Sequence, residues 1–222
     1  MWLLRRCWQV RKGVLGQRLV LLRVFGSPHK AVSLLELLRD TWLLFGTVDL
    51  IVGTDIAAMT LGPVMLEAYL RRRAEGVYLK SPEEVDRRLA GLDRRLQFDG
   101  RYPINELYCF ATAWQDAVTR LVPESDVVLM DLRGFSQSHL GCIFELNQIL
   151  NLVPIQRIVL LADRSTCAVA LQETLQRAWR NLRREAPSAG IQDPVINLLT
   201  ISKFDATGRD FLASRLVSIA GR

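Results

Sequence analysis

Histidine is almost missing from this sequence, with two in 222 residues, and the four cysteines stand far apart at positions 7, 109, 142 and 167. No Cys-x-x-Cys spacing and no nearby histidine pair exist, which argues against a structural zinc site, and no metal is expected. Nor is there a disulfide framework of the kind an oxidising compartment favours; the cysteines read as buried free thiols. Long uncharged apolar runs are lacking too. The nearest, Trp42 to Leu66, is interrupted by Asp49, Gly53, Asp55 and Pro63, where a membrane span needs about 20 consecutive apolar residues. The start of the chain has no apolar stretch leading to a small-residue cleavage site, which argues against a secretory leader. There is no internal repeat and no low-complexity tract. These absences together predict a cytoplasmic globular protein.

Acidic residues are missing from one region in particular. The first thirty residues hold Arg5, Arg6, Arg11, Lys12, Arg18, Arg23 and Lys30 and no acid, a local charge of +7 against +6 for the whole chain, so the remainder carries −1. The basic excess therefore belongs to an N-terminal arm, residues 1–18, and not to the domain expected over residues 19–222. Trp2, Leu3, Leu4 and Trp8 lie among the bases. That mixture suits an anionic membrane surface met through residues 2–18, which would put the protein at the inner face of the membrane. Nucleic acid is a competing but disfavoured partner, and a solvated leader is the plain alternative.

What is present is apolar strand alternating with amphipathic helix. Half the residues are hydrophobic and 23% charged, enough for one sizeable core. Leu19–Phe25, Val48–Val52, Val127–Asp131, Ile158–Ala162 and Val195–Ile201 read as strands. Helices are expected over His29–Phe45, Trp114–Leu121, His139–Leu152, Ala168–Arg184 and Gly208–Ala220. This predicts a doubly wound α/β fold with a mainly parallel five-stranded sheet in the order 2-1-3-4-5. Residues 56–107 form a helical insertion between strands 2 and 3, with helices over Leu61–Arg73 and Pro82–Arg95 and a turn-rich loop at Phe98–Pro103.

In that order strands 1 and 3 are neighbours whose connections leave to opposite faces, so a ligand crevice should open beyond their carboxyl ends. Gly26 and Ser27 end the first; Asp131, Arg133, Gly134, Phe135, Ser136 and Ser138 follow the third. If Ser138 caps the next helix, Gly141 precedes Glu145 by one turn, and the Glu145 side chain leans back over it. Glycine inside a helix costs roughly 1 kcal/mol relative to alanine, so its presence suggests that room is needed there. The alternative is that Gly141 serves helix packing and Glu145 faces solvent. For the others, Asp131 can bind a ribose hydroxyl or cap a turn, and Arg133 can meet a phosphate or water.

The run Ser125-Asp-Val-Val-Leu-Met-Asp, then Ser136-x-Ser-x-x-Gly-Cys-Ile-Phe-Glu-Leu, resembles the central part of TIR domains, and Arg23-Val-Phe-Gly-Ser is similar to their first strand. Gly141-Cys-Ile-Phe-Glu-Leu equally resembles nucleoside 2-deoxyribosyltransferases. The likeness covers residues 120–165, about a fifth of the chain, with Gly141 where TIR domains carry tryptophan. The TIR resemblance implies cleavage of the N-glycosidic bond of NAD as a substrate, with no bound cofactor and Glu145 as the catalytic carboxylate. The second resemblance implies a nucleophile at the same position. Both imply a nucleotide or nucleoside ligand held by the residues named above. A catalytically silent TIR-like signalling module that forms homo-oligomers is the reading from another class.

Overall fold

The computed structural model describes residues 16–24, 28–52, 70–71, 74–201 and 205–221. Within them, six parallel strands form one sheet: β1 (Gln17–Arg23), β2 (Gly46–Val52), β3 (Ile104–Tyr108), β4 (Val127–Asp131), β5 (Ile158–Ala162) and β6 (Asn197–Thr200). Their order is β3-β2-β1-β4-β5-β6. The helices are α1 (Pro28–Asp40), α2 (Pro82–Ala90), α3 (Trp114–Leu121), α4 (Leu140–Leu152), α5 (Ala168–Arg180) and α6 (Ala206–Ala220). No helix among the described residues is long and apolar enough to cross a membrane.

The doubly wound α/β class is as expected, but the strand count and order are not. The sixth strand, β3, lies inside the stretch assigned to a helical insertion and pairs with β2 in register from Val48↔Ile104 to Val52↔Tyr108. Polar Asn105 and Glu106 hide it from an apolar-run reading. It is an edge strand, and an edge needs less apolar surface than a centre. The inner strands β1, β2, β4 and β5 carry their apolar runs because both faces are covered. Leu34, Leu35, Leu37 and Leu38 of α1 pack with Leu212 and Leu216 of α6 on one face. Ala117, Val118 and Leu121 of α3, Leu146 and Ile149 of α4, and Leu171 of α5 form the core on the other.

Several boundaries differ for local reasons. The first helix stops at Asp40, and a 3-10 turn, Trp42–Leu44, leads to Gly46. Gly46 begins β2 rather than closing the helix. It is pressed against β1 so tightly that a Cβ would come within 1.9 Å of the Gln17 carbonyl oxygen. The helix after Ser81 keeps its expected cap, Ser81 accepting the Glu84 N–H, but ends at Ala90 before Gly91. The α5 helix ends at Arg180. Of the thiols, Cys109 and Cys142 are buried, and burial pushes Cys109 up to about 12; Cys167 is exposed. The helix expected over Leu61–Arg73 lies, apart from Leu70 and Arg71, outside the described residues, as do the arm up to residue 15, Phe25, Gly26 and Ser27.

Candidate active site

β1 and β4 are direct neighbours, with Arg23 opposite Asp131 at their carboxyl ends. The chain leaves β1 into α1 on one face and β4 into α4 on the other. That is the point where the winding reverses, the usual position of a ligand in such sheets. Four of the expected side chains can be followed there in detail.

Glu145 faces inward. It lies on the α4 face that carries Cys142, Leu146, Ile149 and Leu150, and it is 2% exposed. Cys142, three residues earlier on that face, contacts the Arg23 carbonyl oxygen at 3.7 Å, which puts this turn of α4 against the end of β1. The Oε2 atom of Glu145 is buried without a hydrogen-bond partner. Burial drives its pKa up to about 8, and the nearby positive charge of Arg23 only partly opposes the rise. A carboxylate so deeply buried is expensive, and burial favours its protonated form. The solvent-facing alternative is excluded. One turn back, a Cβ on Gly141 would meet the Trp114 indole at 3.7 Å, ordinary contact distance. Trp114 opens α3 and packs edge-on against Phe144, 5.1 Å between ring centroids. The space beside Gly141 is therefore bounded by an aromatic wall that the sequence did not announce.

Asp131 and Arg133 are each 4% exposed and hold one another. Arg133 Nε donates to Asp131 Oδ1 at 2.8 Å and Nη2 to Oδ2 at 2.6 Å, a bidentate pair. Arg133 also donates to the carbonyl of Lys30. Lys30 in turn reaches Asp163 at 2.8 Å and Ser165 at 2.7 Å, in the loop after β5. Burial raises Asp163, but hydrogen bonds from Lys30 and Ser165 outweigh it and hold the carboxylate below its ordinary range. This chain of ion pairs ties the starts of α1, the β4–α4 loop and the β5–α5 loop together. Its far members, Lys30 and Asp163, escaped the sequence reading because 133 positions separate them.

The β4–α4 loop turns at Gly134, whose φ of +90° is one glycine adopts without strain. Phe135 is fully buried and packs in the same core cluster as Cys142 and Leu146 of α4. Ser136 and Ser138 join at 2.8 Å between hydroxyls, and Ser136 N–H donates to His139 Nδ1 at 3.0 Å. His139, not Ser138, is the cap residue of α4, and its side chain makes no cap bond. The structure thus brings Asp131, Arg133, Ser136, Gly141 and Glu145 to one end of the sheet, with Gly26 and Ser27 outside the described residues. Comparison of the chain with protein-family models, with curated proteins and with solved structures gave no match.

Proposed function

We propose that this is a TIR-like domain that binds a nucleotide at the end of β1 and β4 and cleaves its N-glycosidic bond through Glu145, with NAD as the leading substrate. One observation carries the reading: a carboxyl only 2% exposed, with an oxygen that has no partner, beside the carboxyl end of β1. Such a group is costly in a core and useful in a reaction that builds positive charge next to it. As the bond from ribose C1′ to the nicotinamide nitrogen breaks, both bonding electrons leave with nicotinamide. The sugar carbon becomes cationic, the ionised Glu145 stabilises it, and water then adds to C1′ with loss of a proton. The nicotinamide ring of NAD is itself a cation, so its arrival favours ionisation of Glu145. The Asp131–Arg133 pair, already satisfied internally, acts as the floor that fixes the β4–α4 loop. Ser136, Ser138 and His139 are the polar groups left to meet the substrate.

The test is chromatographic. The purified chain is incubated with NAD and with nucleosides, and released nicotinamide or free base is measured. Turnover that Glu145→Gln abolishes supports the reading; turnover that survives the change rejects it. A second reading, a silent TIR-like assembly module, is favoured by Leu140 and Val169. These residues stand in the first turns of α4 and α5 and are 74% and 67% exposed. It expects no turnover and self-association by light scattering that Leu140→Ser weakens.

A further inference from the structure

We propose that the groove between α4 and α5 is a docking site for an acidic amphipathic helix of a partner protein. The two helices leave a cavity of about 310 Å³ between them. Leu140, Ile143 and Asn147 line it from α4, and Arg177, Ala178 and Asn181 from α5. Gln137 closes one end, its side-chain amide donating to Glu173 Oε2 at 2.8 Å. At the other end Arg183 N–H donates to Asn151 Oδ1 at 2.8 Å, which brings the chain leaving α5 against the last turn of α4.

The α4 wall is short of charge. Of its 13 residues Glu145 alone is acidic or basic, and it is turned inward. Leu140 stands out into solvent, and Asn147, Gln148 and Asn151 continue the partly exposed face with amides only. A helix face left to water ordinarily carries charges. Their depletion around an exposed apolar side chain is the composition of an interface centre.

The α5 wall supplies charge, mostly of one sign. Glu173 and Arg177 stand four apart, a spacing at which acid and base usually pair on a helix. Here Glu173 is engaged by Gln137 across the groove, and Arg177 has no partner among the described residues. Arg180, Arg183 and Arg184 follow, all exposed, and none of their guanidinium groups has a hydrogen bond or ion pair among the described residues. By contrast Arg18, Arg120 and Arg209 each reach an acid. Over residues 140–152 and 168–185 these four arginines face only Glu173 and Glu185 among exposed acids, an excess of two positive charges. Arg177 and Arg180 suit the negative end of the α5 dipole, but Arg183 and Arg184 lie past the helix.

An apolar wall beside an unneutralised basic rim is complementary to a helix that carries an apolar stripe with acidic flanks. The 13 residues of α4 extend about 20 Å at 1.5 Å per residue, room for a partner of about four turns. A second copy meeting this face with its own would bring the same arginine excess, so like charges would meet. A nucleic-acid strand would find no aromatic side chain lining the groove on which to stack a base.

The experiment is fluorescence anisotropy of the full chain with a labelled synthetic helix of about four turns, leucine at i, i+4, i+7 and i+11 and glutamate on its flanks. The same helix with lysine for glutamate is the control. The glutamate helix should bind saturably and weaken as salt is raised, and the lysine helix should not bind. The double variant Arg177→Glu, Arg180→Glu should bind the glutamate helix at least about tenfold more weakly and gain the lysine helix. Leu140→Ser should weaken both pairings. The basic arm is present in parent and variants alike, so the difference reads the groove. Melting temperatures should match the parent, since these side chains are exposed. No saturable binding of the glutamate helix overturns the proposal, as does equal binding by parent and double variant or equal binding of the two helices. So does an oligonucleotide that displaces the glutamate helix from the parent, or self-association by light scattering that the double variant abolishes.

Discussion

At the level of single residues, a carboxyl with a folded pKa of about 8 and an ordinary value of 4.5 keeps a proton that the unfolded chain has released. Between those two values the folded state binds more protons, so stability is highest at the acidic end and declines as pH rises. It levels off above about 8, where both states are ionised. The slope approaches ~1.4 kcal/mol per pH unit at most. Urea titrations from pH 5 to pH 9 should trace that decline, and Glu145→Gln should flatten it. If Glu145 must be ionised in the free protein, kcat/KM for NAD cleavage should climb with pH and reach a plateau above about 8, because that parameter reports the unliganded enzyme. A flat profile across that range would separate the carboxyl from the chemistry. Gly46 makes the complementary case for backbone. A Cβ there would lie 1.9 Å from the Gln17 carbonyl oxygen, so Gly46→Ala should destabilise the fold by about 1–3 kcal/mol through forced separation of β1 and β2. Thermal or urea unfolding reads it directly.

At the level of elements, the two acid–base pairs behave differently from their sequence appearance. Asp131 and Arg133 stand two positions apart after an apolar strand, a pattern that reads as ligand-binding because nothing local says they satisfy each other. Folding buries both and closes the pair. Arg133→Ala should therefore cost about 3–5 kcal/mol by stranding a buried carboxylate, seen as a lower urea midpoint and not as a selective rise in KM. Arg94 meets the buried Asp49 at 3.1 Å but is a quarter exposed, so that pairing is partly screened. Arg94→Ala should cost less, about 1–3 kcal/mol. The central strands were legible because two covered faces demand unbroken apolar runs, whereas the apolar neighbours of Glu145 left its direction open between crevice and solvent. β3 was not. Its Asn105 donates to the buried Asp49 at 2.8 Å and its Glu106 bonds the Tyr108 hydroxyl at 2.7 Å, so polar residues occupy a strand for reasons found only in three dimensions. Trp114 was equally opaque, since 27 positions separate it from the glycine it covers.

For the whole molecule, all six strands run the same way, so every loop falls at one of two ends. Glu145 and the ion-pair chain from Lys30 to Asp163 belong to the carboxyl end. Phe98, fully exposed ahead of β3, and Gly16, ahead of β1, belong to the amino end. Strands of four to seven residues span roughly 13–23 Å at about 3.3 Å per residue. Effects of substitutions that far apart, with no shared partner, usually add. Leu96→Ser, Phe98→Ser combined with Glu145→Gln should thus change stability by the sum of the separate effects, within about 0.5 kcal/mol, in paired denaturation curves. The sheet thus keeps its two rims a strand's length apart, so what each rim holds can be altered and measured on its own.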